Sequence, residues 1–143
     1  MSEVDGTFEA GTSAGEMTAG LGLAERIITD VNGLMPTAWI LWDAVDIHID
    51  SDNEYDTATR ESVEETLSSG NGFWGIAIAD HDNQELLLSK KYYAFGQFSR
   101  YIRPGFTIIG SSDSTVAAYS PKENKAVIVA LNTAGSDKTW KFN

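Results

Sequence analysis

Met17, Leu21, Ala24, Ile28 and Val31 recur at alternating steps of four and three, the spacing of one apolar helix face. Ser13-Ala14-Gly15-Glu16 precedes them as a capping box, and Gly33 and Pro36 follow as a stop. The pattern predicts a helix over 14–32. Ala38-Trp39-Ile40-Leu41-Trp42 is then apolar at every position, as in a strand buried on both faces. Alternation there sets Trp39 and Ile40 on opposite sides, with Trp42 on the side of Ile40. Residues 46–72 are acidic and rich in Ser, Asn and Gly. They read as a long loop, with a short helix at 58–67.

A strand is predicted over 73–79, and a turn at Asp80-His81-Asp82-Asn83. Residues 85–88 form a short strand or lead into a helix over 90–102, which Pro104-Gly105 ends. Beyond Pro104 the period changes to two. Residues 106–110, 115–120, 126–132 and 139–142 read as antiparallel strands, the second and third joined by a turn at Pro121-Lys122-Glu123-Asn124. The chain is thus α/β followed by all-β, with a boundary near residue 105.

Composition narrows the function. The chain has 143 residues, no cysteine and a net charge of −11, which suits a globular protein without disulfides or thiolate metal sites. Residues 1–82 hold seventeen acidic side chains and two arginines; the remainder holds four acidic and eight basic ones. Such a field repels phosphate backbones and anionic lipid, so neither nucleic acid nor membrane is an expected partner. A neutral sugar is compatible with it. No apolar run approaches the roughly 18 residues of a membrane span, and no signal peptide is visible.

Three stretches together resemble glycoside hydrolase family 30. Met1-Ser2-Glu3-Val4-Asp5-Gly6 is similar to the end of the seventh barrel strand, where that family carries its nucleophilic glutamate. Ala38-Trp39-Ile40-Leu41-Trp42-Asp43-Ala44-Val45 is similar to the eighth strand with its tryptophan. The stretch from Lys90-Lys91-Tyr92-Tyr93-Ala94-Phe95-Gly96 through Gln97-Phe98-Ser99-Arg100-Tyr101-Ile102-Arg103-Pro104-Gly105 is similar to the last barrel helix and its exit into a β-sandwich. The resemblance implies the last βα units of a (β/α)₈ (TIM) barrel over 1–104, joined to part of an antiparallel β-sandwich over 105–143.

It further implies a retaining O-glycosyl hydrolase acting on β-linked oligo- or polysaccharide, and secretion from the cell. Ser2-Glu3-Val4-Asp5-Gly6 is most similar to members that cleave β-1,6-galactan; xylan and glucosyl linkages stay open. By resemblance Glu3 is the nucleophile, and Trp42, Asp43 and Asp5 contact substrate. The family's acid/base glutamate lies on its fourth strand, which has no counterpart here. The chain by itself is therefore expected to be inactive, with Glu3 a solvated acid. Two other readings remain: a non-catalytic carbohydrate-binding module, and a relic that associates with itself or with a missing barrel portion. A relic would expose Leu21, Ile28, Phe98 and Tyr101.

The remaining candidates have plainer readings. Asp46, His48, Asp50 and Asp52 alternate, and Asp50, Asp52, Glu54, Asp56 and Glu61 fall at calcium-loop spacing, but Tyr55 stands where the turn needs glycine. We read a solvated acidic loop with no metal, and no cofactor is expected. Trp74 reads as packing and His81 as an exposed turn residue. The aromatic side chains of 92–101 read as an interface seal, and Lys90, Lys91, Arg100 and Arg103 as solvated or carbonyl-capping helix ends.

Overall fold

The computed structural model describes residues 3–6, 8, 15–52, 73–112 and 114–141. Helix α1 spans Met17–Leu34, with Glu16 in the cap position and Met35 left-handed at its end (φ 44°). Ser13, the expected cap, lies outside the described residues, as does the short helix expected at 58–67. Gly33 does not stop α1. The helix continues to Leu34, and the Met35 N–H closes the last turn on the Val31 carbonyl. Pro36 comes next, and its ring disfavours helical backbone in the residue before it.

The buried face of α1 is wider than the predicted stripe. Ala19, Leu23, Ala24, Ile27, Ile28 and Val31 are buried, while Met17 is half exposed. The helix is covered on two sides, by the second helix and by a sheet. That second helix, α2, spans Lys90–Ser99. Three strands, β1 Val45–Ile49, β2 Ala77–Asp80 and β3 Glu85–Leu88, form one sheet in that order. β1 and β2 run parallel, with an irregularity at Asp46; β2 and β3 form an antiparallel hairpin. The hairpin turn lies at the predicted Asp80–Asn83 cluster.

Strand β1 corrects two expectations. Residues 45–49 are a strand, not the start of an acidic loop, because Val45, Ile47 and Ile49 alternate with polar residues and β2 is available to pair with them. Residues 38–42, in contrast, form no strand. Only Leu41 pairs, in a single parallel bridge with Val4.

The second sheet is an antiparallel meander of β4 Thr107–Ile109, β5 Thr115–Ser120 and β6 Lys125–Ala130. Its central strand is the most buried, and Val116 is fully enclosed. The strand expected over 139–142 is absent at residues 139–141, where no ladder bonds form; residue 142 is outside the described set.

One apolar cluster joins Leu23, Ala24, Ile27, Ile28 and Val31 of α1 to Phe98 of α2 and Val116 of β5, with Trp39, Leu41, Phe95 and Val129 packed around it. Residues from both sides of position 105 thus share one core. Ile28 and Phe98 are buried in it, contrary to the exposure expected of a relic, whereas Tyr101 is exposed. The aromatic residues of α2 are divided: Phe98 is buried and Phe95 packs 6.1 Å from the Trp39 ring, but Tyr92 and Tyr93 face solvent. Among the described residues, no helix is long and apolar enough to cross a membrane.

Candidate carbohydrate site

Two extended segments meet at the Val4–Leu41 bridge. The Val4 N–H donates to the Ile40 carbonyl (2.9 Å), and the Trp42 N–H donates to the Val4 carbonyl (2.7 Å). Val4 is buried and Leu41 packs on the main core. Trp39 also turns inward, and its Nε1–H donates to Asp30 Oδ2 (2.9 Å), which also accepts from Arg26 Nε (2.8 Å). The alternate residues face outward. Ile40 and Trp42 are 52% and 53% exposed, and Glu3 and Asp5 are exposed beside them. Directly paired residues share a side of the sheet, and their neighbours take the other. The bridge therefore brings the segment of Glu3 and Asp5 next to that of Trp42, and all three residues are exposed.

Asp43 follows Trp42 through a cis peptide bond. The Asp43 carbonyl accepts from the Ile76 N–H (3.2 Å), and the Ala44 carbonyl from the Ala77 N–H (3.0 Å). These bonds tie the end of the tryptophan segment to the start of β2. The Asp43 side chain points inward, and its Oδ1 is buried with no hydrogen-bond partner among the described residues. Burial, with repulsion from Asp46, raises its pKa above the usual carboxylate range.

Asp46 has a structural task. Its Oδ2 accepts the N–H groups of Trp74 (2.6 Å) and Gly75 (3.3 Å). The approach requires glycine at 75: a Cβ there would lie 2.7 Å from Asp46 Cβ and 2.9 Å from its backbone nitrogen. Gly75→Ala is expected to lower stability by about 1–3 kcal/mol, the ordinary cost of overpacking, in urea denaturation. An unchanged midpoint would refute this close contact.

Lys91 is the residue that sequence reasoning missed. It sits in the first turn of α2, where a lysine reads as solvated, yet it is completely buried. Its Nζ donates to the carbonyls of Phe73 (2.5 Å) and Trp74 (3.0 Å) and lies 4.5 Å from the Phe73 ring centre. Desolvation lowers its pKa to about 8, opposed by the attraction of Asp46 and Asp43. Trp74 also departs from expectation. The residue is 42% exposed rather than packed away, although its backbone is bonded at both ends.

The histidines pair with each other, and His48 also lies within electrostatic reach of Asp43. His48 Nδ1 and His81 Nε2 are 2.8 Å apart, and the rings stack at 5.1 Å. His81 is therefore half-buried against β1 rather than an open turn residue. Asp80 is buried and accepts both nitrogens of Asn83. Among the described residues no three metal-ligating side chains converge. Glu54, Asp56 and Glu61 of the calcium-like spacing lie outside the described residues.

Over 127 residues, 87% of its length, the chain is 32% identical to an endo-beta-1,6-galactanase from Hypocrea rufa. The match covers 21% of that relative, so the chain spans about a fifth of its length. No family model matches the chain, and no solved structure matches it.

Proposed function

We propose that this chain forms the C-terminal end of the catalytic region of a retaining β-glycosidase of the family 30 type, together with part of its β-sandwich, acting outside the cell on β-1,6-linked galactan. The observation that supports this reading is the Val4–Leu41 bridge, which joins the segment of Glu3 and Asp5 to that of Trp42, with all three residues exposed. The likeness to a galactanase supports the choice of sugar.

In this reading the Glu3 carboxylate attacks the anomeric carbon. The bond to the leaving oxygen breaks as that oxygen takes a proton from an acid on another segment, and water later releases the covalent sugar. Trp42 offers a flat apolar face to the C–H face of a pyranose. Asp5, exposed next to the bridge, would accept from sugar hydroxyl groups, whereas the inward-turned Asp43 side chain would not.

The test is calorimetric titration of the chain with β-1,6-galacto-oligosaccharide. Trp42→Ala should weaken binding about tenfold, equivalent to roughly 1.4 kcal/mol; equal affinity would overturn the reading. An activated 2-deoxy-2-fluorogalactoside separates a glycosidase end from a pure binding module, because its leaving group departs without acid assistance. A covalent mass increase mapped to Glu3, absent from Glu3→Gln, is the expected result. No adduct would remove Glu3 from the mechanism.

A further inference from the structure

We propose that Trp74 is a second sugar-stacking surface at this site, taking another residue of the same neutral β-linked chain, with Asp46 and Lys91 as its positioning residues. The proposal rests on the reading of Trp42 given above and extends it to a residue with no part in the resemblance.

The backbone around Trp74 is held on every side. Its N–H is bound by Asp46 and its carbonyl by Lys91; the next N–H is bound by Asp46 again, and the preceding side chain, Phe73, is buried. The indole on this fixed backbone is nevertheless open to solvent. Burying an ammonium group is costly, and an apolar side chain would fill the same space. What the ammonium adds is direction: it fixes two consecutive carbonyls and so the course of the chain through Trp74. A ring fixed before binding loses less conformational freedom when a ligand covers it.

Position supports the same conclusion. The Ile76 N–H bonds to the Asp43 carbonyl, so the 74–76 segment lies directly against the residue that follows Trp42. The two exposed tryptophans each stand three residues before the start of a paired strand, Trp42 before β1 and Trp74 before β2. The net charge of −11 repels uronic acids and is compatible with an uncharged hexose chain.

The experiment measures affinity for β-1,6-galactotetraose across Trp42→Ala, Trp74→Ala, Trp74→Phe and Asp46→Ala, each checked for folding by circular dichroism. Trp74→Ala should weaken binding about five- to tenfold, with most of the loss restored in Trp74→Phe. In an Asp46→Ala background, Trp74→Ala should have little further effect, while Trp42→Ala keeps its full effect. That pattern distinguishes positioning from general destabilisation.

Wild-type affinity in Trp74→Ala, with Trp42→Ala still weakened, overturns the proposal and leaves the Trp42 reading intact; it would assign the Trp74 ring to contact with another polypeptide segment. Loss of the Trp42 effect, or no binding by the wild type, overturns both.

Discussion

Lys91→Met should lower stability at pH 7 by about 2–4 kcal/mol. The substitution leaves the Phe73 and Trp74 carbonyls without their donor, and each buried unsatisfied group costs about 1–3 kcal/mol. It also removes the positive charge facing Asp43 and Asp46. Relief from burying an ammonium offsets part of this loss. The pH dependence separates the terms. The Lys91 pKa falls from 10.5 to about 8 on folding, so between these values the unfolded chain binds more protons and stability rises with pH. Below pH 8 the burial cost is fully present. Above about 10.5 the lysine is neutral in both states, and its contribution to the slope vanishes. The difference between wild type and Lys91→Met should therefore widen by about 3 kcal/mol across this window. Urea denaturation at several pH values measures it. Parallel profiles would mean that the lysine keeps its proton in the folded protein.

Phe98→Ala should cost about 3–5 kcal/mol, as for other buried aromatic residues reduced to alanine. Phe98 lies where α1, α2 and β5 meet, in contact with the cluster that holds Leu23 and Val116. The cavity would therefore weaken the helices and the second sheet together. Denaturation followed by intrinsic tryptophan fluorescence and by far-ultraviolet circular dichroism should give one coincident transition, shifted in the variant. Two separate transitions would instead establish 1–104 and 105–143 as independent folding units.

The elements that were legible share a property: their signals are local. The heptad-like spacing in α1, the turn chemistry of Pro121–Asn124 between β5 and β6, and the aromatic run of α2 each specify their structure within one stretch of chain. Strand β1 was hidden because Asp46 and His48 made it look like the acidic segment after it. Its strand character depends on parallel pairing with β2, about thirty residues away. The opposite error occurred at 38–42. Continuous apolar character suggested a buried strand, but only Trp39 and Leu41 have a core to enter, and Ile40 and Trp42 remain outside.

The candidate site divides in the same way. Glu3, Asp5, Trp42 and Asp43 were singled out by the resemblance to glycoside hydrolase family 30. Lys91 and Trp74 were not, since a lysine at a helix start and a tryptophan in an apolar run both have commonplace readings. Side-chain type and spacing by themselves determined the two helices, the two turns and the meander strands β4 to β6. The tertiary structure alone decided which apolar residues found cover, which lysine was buried, and which tryptophans stayed open. Those outcomes depend on partners distant in sequence: Val4 for Leu41, β2 for β1, and the Phe73–Trp74 carbonyls for Lys91. No local pattern carries the identity of a partner that only the folded chain brings within reach.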